Sequence, residues 1–267
     1  MTVVPNHAKR QLLDGKLAIG LGVRQARTVD IAQIAKTSGF DWLFIDCEHG
    51  SMSLDMASQI ACAALGVGVT PVVRVPGHEH HHATRALDNG AQGIVVPHVD
   101  TAEHAGRIAD YCRFPPLGHR SMGSGLPQIG FAQAPIEETA RIVNEETLVV
   151  VMLESAQAVD SCEAIAAVPG VDVLLIGTND LCLELGVPGK FDDARVAEAY
   201  ARVIAACRKH GKSPGMGGVG APALLERYIG MGMRFVLAGS DLALLMQAAG
   251  ARAALVRSFL KLERQPR

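Results

Sequence analysis

Aromatic residues are scarce in this chain: seven Phe, three Tyr and one Trp make up 4% of 267 residues. Ala, Val, Leu and Gly are plentiful instead, as expected of tightly packed strands and helices. Basic blocks are also missing. With 25 Lys+Arg against 27 Asp+Glu the formal charge is −2, which argues against nucleic acid as the main partner. No apolar run approaches the roughly 18 residues that a spanning helix requires, so no membrane partner is expected. The start, MTVVPNHAKRQLL, lacks the apolar core of a secretory signal, which makes a cytoplasmic address the expectation. The cysteines, at 47, 62, 112, 162, 182 and 207, include no C-x-x-C pair. Several sit inside apolar stretches and read as reduced core residues rather than a disulfide framework. Linkers, low-complexity segments and internal repeats are absent, so residues 1–267 read as one domain.

What is present is an alternation of short apolar runs and longer helical patterns. Strands are predicted at 17–23, 42–47, 70–75, 93–98, 148–153, 172–177, 213–217 and 234–239. Helices are predicted near 28–38, 53–66, 79–89, 101–112, 157–167, 193–210 and 221–231, with a long final one at about 241–262. Continuous apolar strands joined by helical crossovers indicate a parallel sheet covered on both faces. Eight such units in one chain predict an α/β fold, a closed (β/α)₈ barrel rather than an open doubly wound sheet. About fifty residues separate the fourth and fifth strands and include RFPPLGHRSMGSGLPQIGF. Their Pro and Gly density predicts a long loop that shapes a site at the barrel mouth.

The strand ends carry the chemistry. FIDCEHG holds Asp46, Glu48 and His49, PVVRVP holds Arg74, VVVMLES holds Glu154, and VLLIGTND holds Asp180. In a parallel barrel, groups delivered at strand carboxyl ends converge on one mouth. An unpaired charge at the end of an apolar strand is costly to bury. Glu154 and Asp180 therefore read either as partners of salt bridges or as oxygen ligands for a hard divalent ion such as Mg²⁺ or Mn²⁺. Arg74 either pairs with a carboxylate structurally, or fixes a substrate carboxylate or a developing enolate oxygen. His49, a lone loop histidine in isolation, becomes a candidate base in this company. In GTND, the backbone N–H groups of Thr178 and Asn179 offer a carboxylate site beside Asp180, and a plain helix cap is the alternative.

Two motif matches mislead. HEHHH at 78–82 satisfies H-E-x-x-H, but it follows Pro76-Gly77 at a loop or first turn and lacks a third ligand. Gly215-x-Gly217-x-x-Gly220 matches the dinucleotide fingerprint near the seventh strand, far from the first βα unit where that motif belongs.

GFDWLFIDCEHG, TPVVRVP, ALDNGAQGIVVPHV, RFPPLGHRSMGSG, LVVVMLES, VLLIGTNDL and FVLAGSDL, in this order, resemble the class II, metal-dependent pyruvate aldolases of the hydroxy-oxo-heptanedioate aldolase family. The resemblance implies a (β/α)₈ barrel that cleaves or forms 4-hydroxy-2-oxo acids from an aldehyde and pyruvate, or a related 2-oxo acid such as hydroxypyruvate. It implies a divalent ion (Mg²⁺, Mn²⁺ or Co²⁺) on Glu154 and Asp180. It also implies an essential arginine at Arg74, a histidine–aspartate pair at His49 and Asp88, and a carboxylate-binding turn at Gly177, Thr178 and Asn179. Asp88 enters only through the resemblance, since on its own it reads as an ordinary helix-end residue. The sequence departs from the best-known members at Met152, where Gln often stands, at Thr178-Asn179, where Pro and a small residue are frequent, and at His78–His82. These departures bear on aldehyde preference. A Mg²⁺-dependent acyl-CoA lyase resembling the citrate lyase β-subunit would share the Glu–Asp site, but D-x-E-H and L-D-N-G fit the aldolase better. A non-catalytic small-molecule binder is the third reading. LALLMQAAGARAALVRSFL carries more apolar surface than one exposed helix needs, and in the resembling family such a helix packs on a neighbouring subunit. A homo-hexamer is therefore expected.

Overall fold

A computed structural model describes residues 3–262. Eight strands pair in parallel, in sequence order, around a closed barrel. They are β1 (Ala18–Val23), β2 (Trp42–Asp46), β3 (Thr70–Arg74), β4 (Gly93–Val96), β5 (Leu148–Leu153), β6 (Val173–Gly177), β7 (Ser213–Gly217) and β8 (Phe235–Ser240). Helix α1 (His7–Leu13) precedes the barrel. The crossovers hold α2 (Ile31–Thr37), α3 (Leu54–Val67), α4 (His80–Asp88), α5 (Ala102–Cys112), α6 (Ile136–Glu146), α7 (Ala156–Asp160), α8 (Cys162–Ala166), α9 (Thr178–Glu184), α10 (Ala194–His210) and α11 (Pro222–Met231), and α12 (Asp241–Leu262) follows β8. The expected α/β barrel and its long final helix are both present. Each strand falls within two residues of its predicted range.

Apolar residues on alternate positions fill the barrel interior, among them Trp42, Phe44, Val72, Val150, Met152, Leu175 and Phe235. Trp42 stacks on Phe235 with ring centroids 3.8 Å apart. Its indole lies so close to β1 that a Cβ on Gly20 would stand 2.2 Å from the ring. Ala8 and Leu12 of α1 join this cluster and plug the barrel's amino-terminal end. Side chains along a strand alternate faces with a period of two. Two residues beyond Phe44, Val72, Met152 and Leu175, the inward register therefore reaches Asp46, Arg74, Glu154 and Gly177. The polar crown is the last layer of an otherwise apolar interior.

Several expectations need correction. The segment between β4 and β5 lies at the far end of the barrel, not at its mouth. Helix α5 carries the chain down before the Pro/Gly-rich stretch begins, so that stretch packs at the strands' amino-terminal ends. There Gln128 donates to the carbonyls of Leu87 and Ala91, and Val4 N–H donates to Gln128 O. The segment builds its own small core from Phe114, Leu126, Ile129, Ala140 and Val143, and the last two lie on α6, which the loop reading missed. Helices α1 and α9 were also not predicted, and the single helix expected over 157–167 breaks at Ser161 into α7 and α8. All six cysteines are free, four of them buried, while Cys47 is half-buried and Cys62 is exposed. No helix among the described residues is long and apolar enough to cross a membrane.

Candidate active site at the barrel mouth

In-register pairing of β2 with β3 sets Asp46 beside Arg74. Asp46 takes the arginine fork in two hydrogen bonds, Nε to Oδ1 at 3.0 Å and Nη2 to Oδ2 at 2.8 Å. Both side chains are buried, Asp46 being 1% exposed. Burial alone would raise the Asp46 pKa. The Arg74 guanidinium and the backbone N–H groups of His49 and Glu48 outweigh it and hold the carboxyl below its ordinary value. A bidentate grip of this kind fixes the plane of the guanidinium. The remaining edge of the fork, Nη1, lies 2.9 Å from Glu48 Oε2 and 4.0 Å from Met152 Sδ. Glu48 Oε2 is buried and takes no aligned hydrogen bond despite that ion pair.

Glu154 follows β5 and is 3% exposed. Its Oε2 accepts the backbone N–H of His98 at 2.9 Å and lies 3.3 Å from His98 Nδ1. Burial pushes the Glu154 carboxyl above its usual range. Contacts with His98 pull it back, and the negative charges of Asp180 and Glu48 add to the upward shift. Gly177 presses on the same carboxylate, since a Cβ there would stand 2.6 Å from Glu154 Oε1. Only glycine lets β6 approach this closely. Asp180 is half-buried in the first turn of α9, and Asn179 is exposed beside it. Thr178 is fully buried, its hydroxyl donating to Gly217 O at 2.6 Å and meeting Tyr200 Oη at 2.7 Å. Gly177 caps α9 without a side-chain hydrogen bond to its first turn.

His49 stands on the rim, its backbone N–H donating to Asp46 Oδ1 at 3.1 Å and its Nε2 3.9 Å from Glu48 Oε2. Asp88 is elsewhere. It ends α4, on the barrel's outer layer, and takes Arg120 Nη2 at 2.6 Å, with Arg120 itself buried. No hydrogen bond or ion pair joins it to His49 among the described residues. The HEHHH segment sits where the sequence placed it, at the first turn of α4, with His78 Nε2 2.7 Å from Pro97 O.

Of the residues singled out from sequence, Arg74, Glu154, Asp180, Gly177 and His49 thus meet at one mouth. Three neighbours carry much of the geometry without having been given roles. These are Asp46, which orients Arg74; Glu48, which shares it; and His98, which bridges Glu48 and Glu154. Asp46 and Glu48 stood among the strand-end residues, but His98 was absorbed into the predicted end of the fourth strand.

The donor set suits a hard divalent ion. The buried Glu154 carboxylate, with the half-buried Asp180 and Glu48 adding negative charge around it, is a polar group that a cation would satisfy. Among the described residues no three His, Cys, Asp or Glu side chains converge closely enough to hold an ion unaided. That is compatible with sites in which substrate and water complete the shell.

Fold and site together define a (β/α)₈ barrel that gathers its ionisable side chains at the carboxyl-terminal mouth. Residues 24–248 match the family described as HpcH/HpaI aldolase/citrate lyase. The chain is 40% identical over 263 residues to a 4-hydroxy-4-methyl-2-oxoglutarate aldolase of Hapsidospora irregularis, covering 96% of this chain and 97% of the relative. It is 35% identical over 248 residues to a hydroxypyruvate/pyruvate aldolase of Chromohalobacter salexigens, covering 92% and 96% of the two chains. The crystal structure of an HpcH/HpaI aldolase from Desulfitobacterium hafniense superposes with a TM-score of 0.86 at 27% identity, with 97% of each chain covered. The chain belongs to the HpcH/HpaI aldolase/citrate lyase family.

Proposed function

We propose that the protein is a divalent-metal-dependent aldolase acting on 4-hydroxy-2-oxo acids, releasing or using pyruvate or a related 2-oxo acid such as hydroxypyruvate, together with an aldehyde. The observation that carries this is the buried Glu154 carboxylate, flanked by Asp180 and Glu48 and set across the mouth from an arginine gripped on two edges. Glu154 and Asp180 would hold the cation, which when bound supplies Lewis acidity toward a 2-oxo acid. Arg74, locked by Asp46, presents fixed positive charge where negative charge develops on the keto oxygen as the neighbouring carbon loses its proton. His49, at the solvent rim and 3.9 Å from Glu48, would carry that proton. The N–H groups of Thr178 and Asn179, beside the bare Gly177 cap, would take the substrate carboxylate. Asp88 assists His49 only if the two meet between copies of the chain, because within one copy Arg120 holds Asp88. No Schiff-base lysine is needed. Lys212, the nearest candidate, donates to Val171 O next to the amino-terminal end of β6.

Pyruvate release from a panel of 4-hydroxy-2-oxo acids, followed beside hydrolysis or cleavage of acyl-CoA thioesters, tests this assignment. Release from the hydroxy-oxo acids alone is expected. Turnover of the thioesters alone would replace it with the acyl-CoA lyase reading.

The assembly would be a homo-hexamer working in the cytoplasm. Helix α12 leaves the barrel with Leu245 66%, Met246 67%, Val256 56% and Phe259 54% exposed. That is far more apolar surface than a solvated helix carries. Asp241 roots the helix by accepting the backbone N–H groups of Arg24, Gln25 and Ala26. Light scattering at micromolar concentration should return six times the chain mass, and Leu245→Asp with Phe259→Asp should lower it. A monomeric wild-type mass would contradict the proposed assembly.

A further inference from the structure

We propose that His78 is a positioning residue for Glu154: its Nε2–H grips the Pro97 carbonyl and so aims the Pro97–His98 peptide N–H at the Glu154 carboxylate. This gives the first histidine of HEHHH a task. Its consequence for catalysis rests on the metal reading above.

The peptide between Pro97 and His98 is held at both ends. Its carbonyl oxygen lies 2.7 Å from His78 Nε2, and its N–H donates to Glu154 Oε2 at 2.9 Å. A carbonyl only accepts, so Nε2 carries the proton and His78 is the donor. The two bonds run in one direction, from the histidine through the peptide to the carboxylate. Both polarise the same amide group, so each strengthens the other. Burial raises the Glu154 pKa, and the His98 N–H pulls it back. The β3–β4 ladder ends with Val75 N–H donating to Val95 O at 3.1 Å. At Pro97 O, one step further, the His78 ring takes the place of the next backbone rung. Among the described residues that carbonyl has no other hydrogen-bond partner.

The grip matters because the opposite peptide orientation is the relaxed one. His98 has φ 53°, in the left-handed region that residues bearing a Cβ enter at a cost. Turning over this single peptide would return His98 to an ordinary φ. It would also take the N–H away from Glu154 and swing the Pro97 oxygen toward it, setting one negative oxygen against another. Beyond His98 the chain is pinned again, with Val99 N–H donating to Met152 O at 3.0 Å. The peptide is thus a two-position element, and His78 biases it. The His78 ring is itself braced. His104 stands edge-on to it, with centroids 4.6 Å apart and planes at 77°. His104 is fixed on the first turn of α5, its N–H donating to Thr101 Oγ1 at 3.2 Å. Burial and the neighbouring His78 ring hold the His104 pKa below its ordinary value, which keeps the brace uncharged at neutral pH.

The test compares His78→Phe with His78→Gln in the full-length protein. Phenylalanine keeps a ring against His104 and removes the N–H, whereas the glutamine amide reaches the place of Nε2. In ion-free protein, the His98 amide proton, followed by proton–nitrogen NMR, should move upfield in His78→Phe and stay near its wild-type position in His78→Gln. Calorimetric affinity for Mn²⁺ should fall about 10–100-fold in His78→Phe, the usual loss when a bond that orients a ligating carboxylate is removed, and recover in His78→Gln. Thermal melts of the three proteins should coincide. An unmoved His98 resonance in His78→Phe would overturn the proposal. Equal losses in the two variants would do the same, since the ring rather than its N–H would then be required. So would a shifted resonance with undiminished Mn²⁺ affinity. If the wild-type protein binds no divalent ion, the metal reading fails on its own, and the His98 resonance in ion-free protein still decides whether His78 aims this peptide at Glu154.

Discussion

Arg74→Lys is expected to keep the barrel folded while lowering kcat by about 10²–10³-fold, the usual loss when one preorganised stabiliser of transition-state charge is removed. Charge is conserved in this variant, so the loss measures geometry. Asp46 grips Nε and Nη2 together, which turns Nη1 into the mouth, and a single ammonium on a flexible stem cannot hold two such bonds and still reach inward. Lysine is the informative substitution because alanine would strand the buried Asp46 carboxylate, and breaking a buried pair costs about 3–5 kcal/mol. Asp46→Asn should give a milder version of the same defect, since an amide offers the fork one acceptor in place of two. Steady-state kinetics with a thermal melt on each variant separates the outcomes. Near-native turnover by Arg74→Lys would mean that Arg74 serves the fold alone.

His49→Ala should slow the exchange of pyruvate methyl hydrogens into D₂O by about 10²–10⁴-fold, the ordinary worth of a positioned proton carrier. His49 is exposed on the rim, so its removal leaves no cavity and no stranded partner. Changes at His80, His81 and His82, on the first turn of α4, should leave exchange intact and alter only which aldehydes are accepted. Proton NMR of pyruvate with loaded enzyme reads the rate without any aldehyde present. If His49→Ala exchanges normally yet fails to condense pyruvate with an aldehyde, then His49 serves the acceptor and another group moves the proton.

Arg74 and Glu154 were legible in the sequence because each ends a buried apolar run, where an ionisable side chain has no reason to be unless something meets it. The barrel was legible in the eight repeats of strand and helix. Pairing across strands was not. Nothing in FIDCEHG says that Asp46 faces Arg74 rather than solvent, because that depends on the register between β2 and β3. His98 was hidden for a related reason: a left-handed turn after Pro97 re-aims a residue that alternation would have assigned to the strand. Asp88 entered through the resemblance alone, as the partner of His49, and within one copy of the chain it binds Arg120, a buried partner some thirty residues away in a segment that read as loop. That segment's position was misjudged because the direction in which α5 returns the chain, not the loop's composition, decides which end of the barrel it covers.

The central claim is that Glu154 and Asp180 hold a divalent ion on which carbon–carbon bond cleavage depends. The direct measurement is pyruvate release from a 4-hydroxy-2-oxo acid by protein stripped with a chelator, then reloaded in turn with Mg²⁺, Mn²⁺ and Co²⁺. Glu154→Ala and Asp180→Ala are carried through the same series. The account predicts that stripping abolishes release, that at least one ion restores it to the native protein, and that no ion restores it to either folded variant. Full activity in exhaustively stripped protein, or in either variant, would contradict it.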